Sequence, residues 1–450
     1  MRTTCAPLTR EADPSLIGFD PMRGPEIARG VHALLPVAEQ LFDELRRLSR
    51  DGPGVTREAF GPRESEAHEL IARFAREEHL EVDRDTAANL VVTLHGREAG
   101  KRFLVVGSHL DSVPRGGNYD GAAGVVAGVL ALALLARNAI VPPRTIKLLA
   151  LRGEESAWFG KSWIGAHALL GRLSSVDLAY LRVDSARPLG DHLRDVGADV
   201  DAIAAGRPLM DRDALAAFLE VHIEQGPVLE ARGLPVGVVT AIYGNLRHRR
   251  VVCRGEAAHA GATPRDLRRD AVVATADLIV RVDAQWAQWL ARGKQLVVTH
   301  GMIGTDAREH SISRVPGEVA MSVEIRAEDS QTLADFHRVV RAEAESVAQE
   351  RGVAFEFDEP IVNVPAAMDE RWVARLDALC GEEGVACMRL PSGAGHDASV
   401  FANAGIPTAM LFIRNQYGSH NPEERMETAD FAAALRVLVR ALLDPLDRDT

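Results

Sequence analysis

The sequence predicts an α/β protein in which a smaller α+β block interrupts a larger domain. Patterns typical of buried strands alternate with helical patterns in the first half of the chain and return after residue 352. Between them, residues 246–351 follow the order β-α-β-β-α, which is typical of an antiparallel sheet with helices on one face. We therefore predict a catalytic domain in two parts, 1–239 and 353–450, and an inserted domain at 240–352.

Hydrophobic periodicity and turn residues locate the individual elements. The larger domain is predicted to contain, in chain order, helices at 26–50 and 63–79, a strand at 89–95, a strand, helix and strand at 103–107, 121–137 and 145–151, strands at 217–223 and 407–413, and a helix at 427–443. The inserted domain is predicted to contain a strand at 246–256, a helix at 266–292, strands at 295–300 and 317–327, and a helix at 330–351. The strand–helix–strand unit predicts parallel strands with a right-handed crossover.

Composition and charge exclude two classes of partner. The chain has 450 residues, of which 46% are hydrophobic and 26% charged, as in ordinary globular proteins. Its net charge of -12 leaves no basic excess for nucleic acid. The longest apolar run, 122–136, is shorter than the roughly 20 residues of a membrane helix. Four scattered cysteines without a CxxC pair, and an N-terminus without an apolar signal segment, predict a cytoplasmic protein.

The stretch at 107–128, GSHLDSVPRGGNYDGAAGVVAG, is the strongest local indication of function. It follows an apolar strand and leads into an apolar helix, which is where an open α/β sheet places its ligands. His109 and Asp120 are candidate metal ligands on this loop. Asp111 lies two residues beyond His109, on the same side of an extended chain, and could accept a hydrogen bond from the free ring nitrogen.

Further polar residues follow the ends of other predicted strands. The five candidate metal ligands are His109, Asp120, Glu155, His222 and His420. The imidazoles of His109 and His222 could bind one divalent ion and His420 with Glu155 another, while Asp120 bridges the two. Imidazole and carboxylate ligands without thiolate suit zinc, manganese, cobalt or nickel. Glu154 points away from its neighbour in an extended segment, so it could act as a general base.

Taken singly, these residues have structural alternatives. A lone histidine in a strand is more often a packing residue than a ligand, and a pair such as Glu154–Glu155 is usually a solvated surface pair. His420 lies in GSHNPEE, whose glycine, asparagine and proline favour a turn. The loop at 107–128 is the strongest of these signals because it directly follows a buried strand.

Seven motifs between residues 55 and 430 together resemble the M20 metallopeptidase clan. They are GSHLDSVPRGGNYDG, the EES region, EVHIEQGPVLE, GEAAHAGATPRDLRRDA, VPGEVAMSVEIRA, SGAGHDA and GSHNPEE. Within the clan they are similar to the amidase branch of N-carbamoyl-L-amino acid hydrolases, allantoate amidohydrolases and ureidoglycolate amidohydrolases. The resemblance implies a mixed-sheet catalytic domain of phosphorylase/hydrolase type that holds two divalent metal ions, and an inserted α+β lid that also forms a homodimer.

The resemblance supports the five ligands and Glu154 as the base, and it adds substrate-binding residues. Gln225 in HIEQG contacts the substrate in this family, and Gly395 and His396 of SGAGHDA lie near it. His259 in AAHAGATP reaches the active site of the other subunit in such dimers, and Arg326 in VEIRA clamps a substrate carboxylate, for which a guanidinium is well shaped. Without the motifs, His259 could simply cap a turn and Arg326 could pair with an acidic neighbour.

The implied reaction is hydrolysis of the carbamoyl C–N bond of an N-carbamoyl-L-amino acid, which yields amino acid, ammonia and carbon dioxide. Allantoate and ureidoglycolate are alternative substrates with the same ureido group and carboxylate. A dipeptidase or aminoacylase of the wider clan, or a non-catalytic binding protein, are further alternatives. Two positions depart from the family pattern: Ser313 stands where many carbamoylases carry asparagine, and Trp158 stands where many carry arginine.

Overall fold

The computed structural model describes residues 24–98, 100 and 102–444. The tail predicted at 1–25 lies outside the described residues as far as residue 23, as does Cys5, and residues 24 and 25 open the first helix. Within the described residues, no helix combines the length and the apolar character needed to cross a bilayer.

Two large sheets organise the described chain. Their strands are β1 (Glu81–Arg84), β2 (Leu90–Leu94), β3 (Phe103–His109), β4 (Ile146–Leu151), β5 (Leu215–Ile223), β6 (Val236–Ile242), β7 (Gly244–Arg254), β8 (Leu296–Thr299), β9 (Ile303–Gly304), β10 (Glu318–Ala327), β11 (Ala354–Phe357), β12 (Ile361–Asn363), β13 (Ala366–Ala367), β14 (Cys387–Ser392) and β15 (Thr408–Ile413). Short antiparallel ribbons pair Arg50–Asp51 with Gly54–Val55, Ala258–His259 with Arg314–Val315, and Asn415–Gln416 with Arg425–Met426.

The helices predicted at 26–50, 63–79, 121–137, 266–292, 330–351 and 427–443 are present, and the described residues contain six further helices that were not predicted. In chain order, the helices are α1 (Gly24–Ser49), α2 (Pro62–Glu77), α3 (Ala122–Arg137), α4 (Ile164–Leu169), α5 (Leu189–Asp195), α6 (Val200–Ala204), α7 (Val228–Arg232), α8 (Ala271–Ala291), α9 (Ser330–Arg351), α10 (Glu370–Glu382), α11 (Asp397–Ala402) and α12 (Thr428–Leu443). Single 3₁₀ turns lie at Asp177–Ala179, Arg212–Ala214, Arg265–Leu267 and Ala307–Glu309. Because α3 is apolar on all sides, it is buried between the sheet strands β3 to β5 and the helices α1, α2 and α12.

The larger sheet has nine strands in the order β13-β6-β15-β5-β3-β4-β2-β1, with β14 paired to β6. Its four central strands, β15, β5, β3 and β4, run parallel to one another. Strands β3 and β5 are buried almost throughout, as expected for parallel strands covered on both faces. The carboxyl ends of these four strands therefore meet at one edge of the sheet, where ligands bind in open α/β folds.

The smaller sheet is antiparallel and has its own hydrophobic core. Strands β8, β10, β7 and β11 form its main path, with β9 on β10 and β12 on β7. Along β10 buried and half-buried residues alternate, so its apolar side chains face the helices α8 and α9, which pack against each other. Its core residues form a separate cluster between Leu246 and Val347.

The predicted fold class is confirmed: a mixed-sheet α/β domain carries a separate antiparallel sheet with two helices. The domain boundaries at 239/240 and 352/353 stay predictions. The structure adds that β11 and β12, which follow residue 352, pair with β7 in the smaller sheet.

Candidate metal centre

His109 and His222 form the first part of the candidate site at the carboxyl ends of β3 and β5. Nδ1 of His222 lies 2.9 Å from the carbonyl oxygen of Ile223, and Nδ1 of His109 lies 3.1 Å from that of Asp111. Each Nδ1 therefore carries the proton, and each Nε2 presents a lone pair. The two Nε2 atoms are 3.4 Å apart, and both rings are buried.

Asp120 faces both of these imidazoles. Its Oδ1 lies 3.4 Å from Nε2 of His109 and 3.2 Å from Nε2 of His222. The next residue, Gly121, has φ of +61°, and a Cβ there would lie 2.4 Å from Nε2 of His109. Glycine is therefore required for the loop to bring the backbone this close to the imidazole.

The second oxygen of Asp120 faces a second group of ligands. Oδ2 lies 3.6 Å from Nε2 of His420, which is itself 3.3 Å from Oε1 of Glu155. The ion pair with Glu155 raises the pKa of His420 to about 9. His420 has φ of +59°, a backbone conformation that turns its ring toward the two carboxylates. One carboxylate therefore lies between two groups of candidate ligands, as in dinuclear metal sites.

The donor chemistry of this cluster fits divalent cations. The ligand atoms of His109, His222 and Asp120 lie within 4.8 Å of one another, and so do those of Asp120, Glu155 and His420. Burial lowers the pKa of His109, but the carboxylates around it outweigh this effect and raise its pKa well above the ordinary value. Such an electron-rich, buried group of donors attracts either protons or metal ions, so the two compete.

A further set of ligand atoms, from Glu220, His222 and His396, is already engaged. Nε2 of His396 lies 2.9 Å from Oγ of Ser392, and the Glu220 carboxylate accepts hydrogen bonds from Ser108 and from the amide of Ala398. The His396 ring packs edge-on against His222, with ring centres 4.5 Å apart. His396 therefore supports the ring of His222 from behind.

Glu154 and Glu155 are not a surface pair, because their exposed fractions are only 8% and 5%. Oε1 of Glu154 accepts a hydrogen bond of 2.8 Å from the indole of Trp163, while Oε2 lies 3.9 Å from Nε2 of His109. Burial raises the pKa of Glu154 well above its ordinary value, and the negative charge of Glu155 adds to the increase. One oxygen of a weakly acidic carboxyl group therefore faces the candidate metal centre.

Asp111 connects the two loops of the site. Its carboxylate accepts hydrogen bonds from the backbone amides of Glu154 at 3.1 Å and Glu155 at 3.0 Å, and it lies 3.3 Å from Nδ1 of His109. Nδ1 of His109 therefore faces both the carboxylate of Asp111, as predicted, and the backbone carbonyl oxygen of the same residue. The two amide contacts were not anticipated from the sequence.

Of the residues predicted to bind substrate, Gln225 contacts a candidate ligand and Arg326 contacts the SGAGHDA loop. Nε2 of Gln225 donates a 2.7 Å hydrogen bond to Oδ2 of Asp120, from a backbone with φ of +63°. Arg326 on β10 reaches from the smaller sheet to the SGAGHDA loop, where Nη1 donates to the carbonyl oxygen of Gly393 at 2.7 Å. Its Nη2 lies 3.0 Å from Oε1 of Glu324, so the acidic neighbour considered from the sequence is present.

His259 lies in the short ribbon that pairs Ala258–His259 with Arg314–Val315, and Ser313 directly precedes the second strand of this ribbon. Nδ1 of His259 accepts hydrogen bonds from the amides of Gly261 and Ala262, as expected for a residue that caps a turn. The carbonyl oxygen of Ser313 accepts a hydrogen bond from the amide of Ala260. The contacts described for these two residues are within the ribbon, away from the five candidate ligands.

Several supporting residues were missed by the sequence analysis. Glu424 accepts hydrogen bonds from the amides of Tyr119 and Asp120 and from Ser419, and burial raises its pKa to about 7. Its position in the GSHNPEE motif was a signal that could have identified it. Arg57 is fully buried and donates to the carbonyl oxygen of Leu110 at 2.5 Å, which fixes the loop after β3.

Trp158, one of the two departures from the family pattern, also has a structural role. Its indole N–H donates to the carbonyl oxygen of Ser112 at 2.9 Å, and its side chain is buried. It therefore ties the segment after Glu155 to the loop that carries the first ligands.

Comparison with known proteins identifies the family. The model of Peptidase family M20/M25/M40 matches residues 105–444. Allantoate amidohydrolase of Escherichia coli (strain K12) is 32% identical over 391 residues, 86% of this chain and 92% of that protein. N-carbamoyl-L-amino acid amidohydrolase of Geobacillus stearothermophilus is 33% identical over 411 residues, 89% of this chain and 96% of that protein.

Solved structures show the same relationship. A hydantoinase/carbamoylase family amidase from Burkholderia ambifaria superposes with a TM-score of 0.79 at 29% identity, covering 90% of this chain and 95% of that one. The chain therefore belongs to the M20/M25/M40 peptidase family and, as its motifs predicted, to the hydantoinase/carbamoylase amidase branch of that family.

Proposed function

We propose that this M20-family amidohydrolase cleaves the carbamoyl C–N bond of an N-carbamoyl-L-amino acid or a related ureido acid. The main support is the position of Asp120 between two groups of ligands, with a buried carboxylate, Glu154, beside them. The named substrates of the two curated relatives, N-carbamoyl amino acids and allantoate, share the ureido group. Hydrolysis by one water yields the amino acid and carbamate, which decomposes to ammonia and carbon dioxide.

Five side chains are proposed to hold the two divalent ions. His109, His222 and Asp120 would bind one ion, and Asp120, Glu155 and His420 the other. Zinc, manganese, cobalt and nickel all suit these nitrogen and oxygen donors. When bound, the ions supply Lewis acidity at the substrate carbonyl and lower the pKa of water in the site.

Glu154 is proposed to be the general base and then the general acid. Its free oxygen, Oε2, would take a proton from the attacking water and later deliver it to the leaving amine. Burial raises the pKa of this carboxyl group, which makes Glu154 a stronger base than an exposed glutamate. Asp111 holds the backbone of Glu154 during both transfers.

The substrate carboxylate is proposed to bind Arg326. In the present conformation this guanidinium contacts the carbonyl oxygen of Gly393 and the carboxylate of Glu324, so the substrate would replace or extend these contacts. A guanidinium can bind a carboxylate through two parallel hydrogen bonds. Gln225, Gly395 and His396 are proposed to line the same pocket.

His259 is proposed to stabilise the oxyanion in the partner subunit, with Ser313 beside it as a further substrate contact. Because Nδ1 of His259 accepts two backbone N–H groups, its proton lies on Nε2, which is then a hydrogen-bond donor. One such donor can contribute roughly 10²–10³ in rate. The exposed position of this ribbon supports a role across a homodimer formed by the lid, 240–352. We also propose that the protein is located in the cytoplasm.

Allantoate and ureidoglycolate are the alternative substrates, since both combine a ureido group with a carboxylate. Allantoate is the better supported of these two alternatives, because a bacterial allantoate amidohydrolase is 32% identical to this chain. An M20 dipeptidase or aminoacylase would instead cleave an amide without releasing ammonia from a ureido group, and a non-catalytic binding protein would release nothing.

The decisive experiment is an ammonia-release screen. The full-length chain, loaded separately with zinc, manganese, cobalt and nickel, is assayed against N-carbamoyl-L-amino acids, allantoate, ureidoglycolate and dipeptides. We expect ammonia from at least one ureido acid, and we expect Glu154→Gln, purified and loaded in the same way, to release it at least about 100-fold more slowly. Cleavage of dipeptides alone, or equal ammonia release by Glu154→Gln, would refute the proposal.

A further inference from the structure

We propose that Trp163 is a positioning residue for Glu154, and that its indole N–H holds one carboxylate oxygen of this glutamate so that the other faces the candidate metal centre as the base. The inference rests on the proposed function, because it assigns a partner to the proposed base. It concerns a residue outside the motifs that identify the family.

Trp163 contacts Glu154 twice. The indole Nε1 donates to Oε1 of Glu154 at 2.8 Å, and the backbone amide of Trp163 donates to the carbonyl oxygen of Glu154 at 2.9 Å. The next two amides, of Ile164 and Gly165, donate to the carbonyl oxygens of Gly153 and Arg152. The segment that begins α4 is therefore hydrogen-bonded residue by residue to the segment that carries the base.

The backbone of Trp163 adopts a conformation that is unfavourable for a large side chain. Its φ of +59° and ψ of +35° lie in the left-handed region, which bulky residues rarely occupy. Strain of this kind persists only when surrounding contacts hold it in place, and it is concentrated at functional sites. In this conformation the indole N–H faces Glu154.

The other side of the indole packs against the SGAGHDA loop. A Cβ on Gly395 would lie 2.5 Å from Cζ2 of Trp163, so the ring occupies the space that any larger residue would need. Two residues before Gly395 along this loop, the carbonyl oxygen of Gly393 accepts the hydrogen bond from Arg326. Trp163 thus lies between the proposed base and the loop proposed to border the substrate.

The two adjacent glutamates differ in the donors available to them. Oε1 of Glu154 is held by the indole, which leaves only Oε2 facing the centre, 3.9 Å from Nε2 of His109. Glu155 has an imidazole, His420, as the neighbour of its Oε1 at 3.3 Å and can approach an ion with both oxygens. The indole thus fixes which oxygen of Glu154 faces the centre, and it sets the orientation of the proposed base apart from that of Glu155.

The chain contains a matched control in Trp158. This second tryptophan lies five residues earlier and is buried, whereas Trp163 is partly buried, and its indole N–H donates to the backbone carbonyl of Ser112 instead of to a carboxylate. Trp158→Phe and Trp163→Phe therefore remove the same chemical group from the same region, and only the second affects Glu154.

The test compares the two variants in the metal-loaded, full-length protein with the best substrate of the ammonia screen. For Trp163→Phe we expect kcat to fall about 10- to 100-fold, as for the loss of one hydrogen bond to a charged group, with KM and metal content within about twofold of wild type. For Trp158→Phe we expect kcat within about threefold of wild type and a lower Tm. Metal content is measured by elemental analysis, and folding by circular dichroism.

A kcat of Trp163→Phe within about threefold of wild type would overturn the proposal, as would a loss that follows metal content and is restored by added metal. If Trp163→Phe does not fold, incorporation of benzothienylalanine at position 163 replaces N–H by sulfur in a ring of nearly the same shape, and the same criteria apply. If the wild-type protein releases no ammonia from any substrate, the proposed function fails, and this outcome is distinct from an active wild type with an equally active variant.

Discussion

Nε2 of His109 and Nε2 of His222 face each other at 3.4 Å, although 113 residues separate them in the chain. Each Nδ1 faces a backbone carbonyl oxygen, and Nε2 of His222 also faces the backbone N–H of Gly121 at 3.0 Å. The two Nε2 lone pairs repel each other unless a proton or a metal ion is bound there. The contact is therefore more informative about metal binding than the presence of either histidine alone.

Removal of one of these imidazoles is expected to empty one metal position. His222→Ala should reduce the metal content of the protein from about two ions to about one per chain and lower turnover more than about 100-fold, because one ion loses a direct ligand. Elemental analysis after dialysis checks the stoichiometry. His32→Ala, at an exposed position on α1, is the control. Retention of both ions by His222→Ala would contradict the ligand assignment.

The adjacent glutamates are expected to respond differently to the same substitution. Glu154→Gln should keep its metal and lose about 10²–10⁴ in kcat, the usual range for a general base. Glu155→Gln should lose metal from the position shared with His420 and recover part of its activity at high metal concentration. Parallel metal analysis and steady-state kinetics distinguish the two. Metal loss from Glu154→Gln would show that this residue is a ligand.

Substitution of Arg326 is expected to weaken the binding only of substrates that carry a carboxylate. Arg326→Lys loses the paired hydrogen bonds of the guanidinium, so KM for an N-carbamoyl amino acid should rise about 10- to 100-fold. The rate with an N-carbamoyl amine, which has no carboxylate, should be slow in both proteins and equal between them. Arg308→Lys, at an exposed residue of the inserted part, is the control variant. An equal loss with both substrates would indicate that Arg326 acts through Gly393 alone.

The buried imidazole of His68 is expected to lower the free energy of unfolding, and to lower it most at low pH. It is fully buried on α2, and neither ring nitrogen has a hydrogen-bond partner among the described residues. Burial lowers the pKa of His68 well below 6.5, so the unfolded chain binds a proton there that the folded chain does not. The free energy of unfolding therefore falls as pH decreases below 6.5, by at most about 1.4 kcal/mol per pH unit from this group.

Replacement of His68 by leucine tests this expectation. His68→Leu should raise the free energy of unfolding by about 1–2 kcal/mol at pH 7, because it removes buried polar atoms without partners. The advantage over wild type should increase between pH 6.5 and pH 5. Chemical denaturation at several pH values, with His32→Leu as the exposed control, measures both effects. If the stability advantage of His68→Leu over wild type were smaller at pH 5 than at pH 7, the predicted direction would be wrong.

The sequence predicted most of the fold because the core elements are strongly patterned. The strand predicted at 103–107 is β3, Phe103–His109, and the helix predicted at 121–137 is α3, Ala122–Arg137. Strands β11 and β12 were not recognised, because they are short and partly exposed and lack a continuous apolar run. Their partner, β7, lies about a hundred residues earlier, a pairing that local pattern does not reveal.

The candidate ligands could be selected from the sequence because each follows a buried strand or lies in a distinctive motif. The residues that support them could not, since burial of a charged side chain depends on distant partners. Glu64, for example, is fully buried against Arg152, which lies 88 residues away, and the same carboxylate accepts the amide of Gly153 at the turn before Glu154. The left-handed backbone of Trp163 likewise has no signature in its own sequence neighbourhood.

The contacts of Glu424 have a consequence for how the protein is made. This side chain holds the amides of Tyr119 and Asp120, more than 300 residues earlier, in a chain of 450 residues. During synthesis the loop that carries Asp120 emerges long before the segment that fixes it. The nascent chain therefore exposes an incomplete group of candidate ligands until the segment that contains Glu424 has been synthesised and has packed against this loop.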